Sequence, residues 1–259
     1  MIEQYYESQR RKEFKEIPED AAKFLAGIFE MGGSMSMSSR KQTKYTAEGK
    51  PHEIKWVGSI IQYQESSEEK VSALVNKYGG TKHKHGSENS WLWTARGPLA
   101  RHLLNAIEPY APNRKEEIKA FQALYKSQFY EEKENIAKAL SRYNHTAKSY
   151  PDISAYKELV KDSAFIAGVF HARANLYDYT NPLLILLSEN VTLISALQNT
   201  YGGSLVPIPY TDKKTLDGNI PVSFQLRFAE TDRKKFLRTA YPSLISNKAE
   251  VARIIGEAA

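Results

Sequence analysis

An internal repeat is the feature that most constrains the fold of this chain. The segment FLAGIFEMGGS at Phe24–Ser34 is matched by FIAGVFHARAN at Phe165–Asn175, with aromatic residues and an Ala-Gly pair in the same order. Further along, NKYGG at Asn76–Gly80 is matched by NTYGG at Asn199–Gly203. Repeats of this length indicate two pseudo-symmetric halves, whereas a solenoid would need several shorter units.

The segments that follow predict the same secondary structure in each half. Helical periodicity precedes each Gly-Gly pair, and such a pair is typical of a helix end. The alternation in SWLWTARG (Ser90–Gly97) and SFQLRFAE (Ser223–Glu230) predicts half-buried strands. The matching segments Leu99–Ile118 and Asp232–Val251 each predict a helix, a proline break and a second helix.

We therefore predict an α+β fold of two pseudo-symmetric αββαββα repeats with antiparallel sheets, because helices on one side of such sheets suit short connections. The first repeat is expected at residues 1–118 and the second at 161–259. Between them, residues 119–160 are expected to form a helical linker, since 119–150 is rich in charged residues and helix formers. The strands of the first half are expected at Ser34–Tyr45, Ile54–Tyr63, Gly80–His85 and Ser90–Arg96.

The composition narrows the classes of function. A formal charge of +6 and a pI of about 9.2 favour an anionic partner such as nucleic acid. The absence of cysteine excludes disulfides, thiolate nucleophiles and cysteine-based zinc sites. No apolar run approaches the roughly 18 residues that a membrane span needs, and the first residues lack the apolar core of a secretory signal. A cytoplasmic protein without a membrane partner is the resulting expectation.

The repeat organisation resembles the LAGLIDADG homing endonucleases in their single-chain, two-repeat form. The resemblance covers roughly Ala22–Ile118 and Ser163–Ile255, with LAGIFEMGG (Leu25–Gly33) and IAGVFHARA (Ile166–Ala174) in place of the nine-residue motif. It implies a monomer whose sheets form a saddle over DNA, with the two motif helices packed at the centre. Small residues would let those helices approach: Ala26, Gly27, Ala167 and Gly168. The alternative is that each Ala-Gly pair only packs its helix onto its own sheet.

The resemblance also implies where catalysis would take place. In the family, the eighth motif residue of each repeat is an acid that binds divalent metal, which activates water and neutralises the leaving oxygen. The eighth positions here are Gly32 and Arg173. Glycine offers no ligand and arginine repels a dication, so we expect no catalytic residue, no metal and no cofactor. A relocated site using Glu30 or Asp178 is the alternative; otherwise Glu30 is expected to be a solvated or capping residue near the helix end.

The strand regions of the first half carry a surplus of basic residues, while those of the second half are balanced. In the family such strands contact DNA, so we predict nucleic-acid binding by the following residues: Arg40, Lys41, Lys44, Lys55, Lys82, His83, Lys84, His85 and Arg96. Alternation along TKHKH separates Lys82 and Lys84 from His83 and His85. The lysines are expected either to contact phosphates or to protect an edge strand. The two histidines lack a third metal ligand nearby.

Two further groups of residues have alternative interpretations. Trp56 and Tyr63 would either stack on bases or pack in the core, whereas Trp91 and Trp93 are expected between sheet and helices. Basic residues of the linker are an alternative contact with nucleic acid: Lys133, Lys138, Arg142 and Lys148.

The predicted function is that of a catalytically inactive relative of the homing endonucleases. It would bind duplex DNA or structured RNA, mainly through the basic sheet of its first half. The alternatives are an intron-splicing, maturase-type RNA cofactor and a structural or assembly protein of a ribonucleoprotein. A metal-dependent DNA endonuclease with a relocated site is the last alternative.

Overall fold

A computed structural model describes residues 14–86, 90–144, 152–177, 183–209 and 222–257. The first half contains α1 (Glu19–Met31), β1 (Ser34–Tyr45), β2 (Pro51–Glu65), α2 (Glu68–Tyr78), β3 (Thr81–His85), β4 (Ser90–Arg96), α3 (Gly97–Ile107) and α4 (Lys115–Lys126). Helix α5 (Tyr130–Asn144) follows. The second half contains α6 (Ser163–Arg173), β5 (Ala174–Tyr177), β6 (Leu183–Ser188), α7 (Val191–Tyr201), β7 (Ser204–Pro209), β8 (Val222–Phe228), α8 (Glu230–Ala240) and α9 (Lys248–Ile255).

The two halves repeat one sheet topology. The strand orders are β1-β2-β4-β3 and β5-β6-β8-β7, and all neighbouring strands are antiparallel. Local signals in the sequence explain the helix ends: Ser67 caps α2 by accepting a hydrogen bond from the Lys70 amide, and Gly79, with φ of 74°, follows its last residue. Asn190 and Gly202 have the same roles at α7. The predicted α+β fold with two repeats and antiparallel sheets is confirmed.

Two helices occupy most of the first part of the region expected to be a linker. Helix α4 spans the predicted boundary between residues 118 and 119, and residues 127–129 separate it from α5. Helix α5 packs against β1 and β2 of the first sheet. Strand β2 is also longer at both ends than predicted, because all of Pro51–Gln62 pairs with β1 and the pairing with β4 extends to Glu65.

Helices α1 and α6 cross at the centre of the molecule with their backbones in direct contact. A methyl group at Gly27 would overlap the Phe165 carbonyl oxygen and lie 2.9 Å from the Val169 nitrogen. A methyl group at Gly168 would overlap the Phe24 carbonyl oxygen and lie 2.8 Å from its carbonyl carbon. Only glycine fits these two positions at close packing, so the Ala-Gly pairs lie between the two helices as well as within each half.

Each sheet has one face toward the helices and one face away from them. In the first sheet, Met35, Ile61, Tyr63 and Trp93 are buried against the helices. Because alternate residues point to opposite faces, the even-numbered residues of β1, β2 and β4 and the odd-numbered residues of β3 form the opposite side, called here the first outer face. In the second sheet, Leu184, Leu186, Leu226 and Phe228 are buried. The odd-numbered residues of β6 and β8 and the even-numbered residues of β7 form the second outer face.

Among the described residues, no helix combines the length and the apolarity that crossing a bilayer requires.

Candidate nucleic-acid interface

The first outer face is mostly polar and basic and is free of acidic positions, with Ile54, Ile60 and Leu92 as apolar residues. Its neutral hydrogen-bonding residues are Ser34, Ser36, Ser38, Gln42, Gln62, Gln64, Thr81 and the buried Ser90 and Thr94; its basic residues and histidines are Lys44, Arg96, His52, His83 and His85. Arg40 and Trp56 pair in the same register, although their side chains lie outside the described part of the structure. No Asp or Glu occupies an outward position of these four strands. Gln, Ser and Thr suit base edges, and Lys and Arg suit phosphates.

Four of the predicted binding lysines lie on the other side of the sheet. Lys82 pairs in register with the buried Trp93. Its ammonium lies 2.6 Å from Glu68 and 2.9 Å from the Ser72 hydroxyl, both on α2. The structure thus favours a protected edge over phosphate contact for Lys82, and Lys84 has the same parity. His83 and His85 point outward instead.

Lys41 and Lys55 also lie on the helical face, because they pair with each other at odd-numbered positions. The Lys55 ammonium lies 5.9 Å from the ring centre of Tyr130 on α5 and 3.9 Å from Glu53. Lys133, Lys138 and Arg142 belong to α5 and so lie on the helical side as well. Lys148 lies outside the described residues.

The aromatic side chains of the first sheet are mostly structural. Tyr63 is buried, and its hydroxyl donates to Glu65 at 2.7 Å, so it is not available to stack on a base. Trp93 is also buried and donates its indole N–H to the Gly79 carbonyl at 2.8 Å. Trp91 is partly buried against the core, below the Lys82 ammonium.

The second outer face is shorter, and about half of its positions are apolar. The apolar positions include the half-buried Ile185, Leu187, Val206 and Ile208, and the polar positions are Ser204, Ser223, Gln225 and the basic Arg227. Strands β5 and β6 have 4 and 6 residues, where β1 and β2 have 12 and 15. The charge asymmetry expected between the halves is therefore present on the outer faces, but smaller than a count over whole strands indicates.

A cavity of about 330 Å³ lies at the C-terminal ends of α1 and α6 and is lined by residues of both halves. This central cavity is lined from the first half by Glu30, Gly32, Ser34, Arg114 and Glu117, and from the second half by Arg173, Leu187, Glu189 and Ser223. Ser34, Leu187 and Ser223 are also residues of the outer faces. The cavity is thus continuous with both faces.

Gly32 and Arg173 lie against each other in this cavity. A methyl group at Gly32 would lie 2.6 Å from Arg173 Nη2 and 2.8 Å from Cζ. The guanidinium therefore occupies the volume that any side chain at position 32 would need. Arg173 also donates from Nε to the Met31 carbonyl at 3.4 Å.

Glu30 is buried and joins the two halves, which corrects the expectation of a solvated or capping residue. One carboxylate oxygen accepts from the Asn113 amide at 2.9 Å. The other accepts from the Tyr156 hydroxyl at 2.6 Å and from Asn190 Nδ2 at 2.9 Å. Burial raises the pKa of Glu30 to about 7, although the bond from Tyr156 and the charge of Arg114 oppose this shift.

The described residues contain no group of three His, Cys, Asp or Glu side chains that is able to hold a metal ion. Glu30 is fully engaged by Asn113, Tyr156 and Asn190, and Asp178 lies outside the described residues. His171, at the motif position equivalent to Glu30, is buried beside Ser246, and burial lowers its pKa to about 3. The imidazole is therefore neutral at physiological pH.

Comparison with known proteins identifies the fold. No protein-family model and no curated protein matches the sequence. Solved structures do match: I-SmaMI bound to an uncleaved DNA target in the presence of calcium ions is 13% identical, with a TM-score of 0.57 over 91% of this chain and 89% of that chain. The LAGLIDADG homing endonuclease I-GzeII in complex with its DNA target is 11% identical, with a TM-score of 0.51 over 91% and 90%. This chain has the LAGLIDADG homing-endonuclease fold. Helices α1 and α6 carry the two segments that resemble the LAGLIDADG motif.

Some residues of this LAGLIDADG-fold interface were not singled out from the sequence. The alternation Ser34-Met35-Ser36-Met37 did carry a signal, because it separates a polar face from an apolar one. Gln62 and Gln64 lie on that polar face, next to Thr94 and Ser90. The sequence around Tyr156 and Asn190 gave no signal of their contact with Glu30, because these residues lie 126 and 160 positions further along the chain.

Proposed function

We propose that this protein binds duplex DNA along the first outer face and does not cleave it. The observation that carries the proposal is the absence of acidic residues from the outward positions of the first sheet. The acidic strand residues Glu53 and Glu65 occupy helical-face positions, whereas the outward positions carry Lys44, Arg96 and a row of Gln, Ser and Thr. A surface that only needs solvation has no reason to exclude acids from one face. A surface that lies on phosphates does.

The absence of cleavage is supported by the pair at the eighth motif positions. Hydrolysis assisted by two metal ions needs carboxylate ligands that hold the ions about 4 Å apart. Gly32 supplies no ligand, and Arg173 places a fixed cation in the same volume. Glu30 is engaged in three hydrogen bonds within the protein interior.

Duplex DNA is favoured as the ligand because the solved structures of the same fold include complexes with DNA targets. The first half is proposed to provide most of the affinity, since the second outer face offers Arg227 as its basic residue among the described positions. Because both motif helices lie in one chain and satisfy each other's close-packed faces, the protein is proposed to act as a monomer.

Structured RNA is the second candidate ligand, in a splicing cofactor or a ribonucleoprotein. The observation that favours it is the inequality of the two outer faces. A duplex lying symmetrically across both sheets would meet Ile185, Leu187 and Val206 in the second half, which are unsuited to phosphates. A contact with the first outer face alone is easier to reconcile with RNA or a partner protein than with a duplex that lies across both sheets.

A pair of charge-matched variants tests the proposed surface. Lys44→Gln/Arg96→Gln removes two cations from the first outer face, and Lys41→Gln/Lys84→Gln removes two cations from the helical face of the same strands. For duplex DNA, we expect the first variant to flatten the slope of log affinity against log salt by about 1.8, since each phosphate contact contributes about 0.9. The second variant should change the slope by much less.

Equal slopes for the two variants would contradict the proposed surface. The ligand class is tested separately by crosslinking the protein in its native cells and sequencing the nucleic acid that copurifies. Recovery of DNA supports the proposal, and recovery of RNA alone would favour the second candidate.

A further inference from the structure

The cations of the central cavity differ in how far their charge is already neutralised. Arg114 is buried: Nη1 pairs with Glu117 at 2.9 Å, while Nε and Nη2 donate to the Phe29 and Gly33 carbonyls at 2.8 and 2.9 Å. Arg114 therefore has a structural role. Arg173 is exposed, and within the described part of the chain no carboxylate forms an ion pair with it. Its one described hydrogen bond, to the Met31 carbonyl, uses Nε.

The Arg173 guanidinium is held on the side that faces Gly32 and Met31. Gly32 leaves the space in which the group lies, and the Met31 carbonyl holds Nε on that side. No hydrogen bond of the described residues uses the Nη atoms, so these donors remain for a ligand in the cavity. Ser34, the first residue of β1, adds an exposed hydroxyl at the same wall.

The chemistry of these donors selects phosphate. A guanidinium presents parallel N–H groups that match two oxygens of a phosphate, and such bonds are among the stronger ones in proteins. Glu189 also lines the cavity and is exposed, so it repels a free anion. A phosphate that is part of a polymer can overcome this repulsion, because contacts along the first outer face already hold the strand in place.

We propose that Arg173 binds a backbone phosphate of the nucleic acid at the junction of the two outer faces, and that Gly32 is the residue that makes room for it. The inference rests on the proposed function. The motif residue at position 173 then supplies a fixed positive charge at the centre of the bound duplex. It neutralises a phosphate there without activating water, so it anchors the strand and leaves it intact.

The test uses two variants of this pair and one control. Arg173→Gln removes the charge, and Gly32→Ala keeps the charge but displaces the guanidinium. Arg101→Gln removes an exposed arginine from α3, outside the cavity. For duplex DNA, we expect about a tenfold loss of affinity with Arg173→Gln, as for one charge-assisted hydrogen bond, and a salt slope flatter by about 0.9. Gly32→Ala should also weaken binding, although its net charge is that of wild type. Arg101→Gln should bind as wild type does.

Duplexes with a single uncharged methylphosphonate, moved along the bound site, identify the phosphate concerned. Wild type should lose affinity when the central phosphate is replaced, and Arg173→Gln should be indifferent to that replacement while remaining sensitive at the flanking phosphates. Inorganic phosphate added as competitor should not displace the duplex at millimolar concentration; displacement would assign the cavity to a free anion and overturn the inference. Thermal melts of all variants establish that they fold.

The outcomes separate the inference from the function on which it rests. If wild type binds duplex DNA, and Lys44→Gln/Arg96→Gln weakens it, but Arg173→Gln behaves as Arg101→Gln does, the inference is overturned and the proposed function stands. If wild type binds no duplex at all, both are overturned.

Discussion

Substituting Gly168 by alanine should destabilise the fold, because the backbones of α1 and α6 touch at this residue. The new methyl carbon would lie 2.8 Å from the carbonyl carbon of Phe24 and 3.2 Å from the Gly27 Cα. Carbon atoms prefer about 3.5–4.0 Å, so the helices must separate by about 1 Å. The atoms in the way belong to the backbone, which cannot rotate aside.

The magnitude follows from two opposing effects. Overpacking a core typically costs about 1–3 kcal/mol, and rigid neighbours place this site at the upper end. Alanine regains about 1 kcal/mol of helix propensity relative to glycine. We therefore expect a net loss of about 2 kcal/mol in the free energy of unfolding, measured by urea denaturation followed by circular dichroism.

Two further variants isolate the effect of the crossing. Ala123→Gly on the exposed side of α4 measures the propensity effect alone, which should be about 1 kcal/mol. Gly27→Ala/Gly168→Ala should cost less than the sum of its single changes, because one separation of the helices relieves both overlaps. A Gly168→Ala variant as stable as wild type would refute direct backbone contact between the helices.

The remaining predictions concern the carboxylates of the central cavity. The pKa of Glu30 is about 7 in the folded state against a usual value of 4.5, so between these values the unfolded chain loses a proton that the folded chain retains. Stability should therefore fall as pH rises through this window, by about 3 kcal/mol at most. Glu30→Gln should remove that fall, so urea unfolding at pH 5 and pH 8 should show the variant gaining on wild type at pH 8; parallel profiles would contradict a buried carboxyl group with a raised pKa. Glu189→Gln removes an exposed negative charge near Arg173 and should tighten duplex binding severalfold at low salt, and weaker binding would mean that Glu189 does not face the bound phosphates.

Local patterns in the sequence were sufficient to predict the fold. The matched motif helices, the Gly-Gly helix ends and the alternating strands each depend on a few adjacent residues, so the order of the elements in both halves could be predicted. The ends of β2 were harder to predict. Pro51, His52 and Glu53 have weak strand propensity, and their pairing with Thr43, Lys44 and Tyr45 comes from the length of β1.

The faces of the first sheet could be predicted only in part. Alternation correctly separated Lys82 from His83, but it did not tell which of them faces the helices. That choice is made by the register of β3 against β4, which places Lys82 opposite the buried Trp93. Long-range contacts were the hardest to predict. Glu30, for example, is bound by Tyr156 and Asn190, which lie 126 and 160 residues away in sequence.

Binding without cleavage is tested most directly by incubating the purified protein with a library of random duplex DNA in the presence of magnesium or manganese. The DNA that remains bound is then isolated, and both of its strands are examined for breaks. We expect the strands of the bound fraction to be intact with either metal, because neither Gly32 nor Arg173 can act as a metal ligand. A metal-dependent break at a defined position, abolished by Glu30→Gln, would contradict this account and establish a relocated active site.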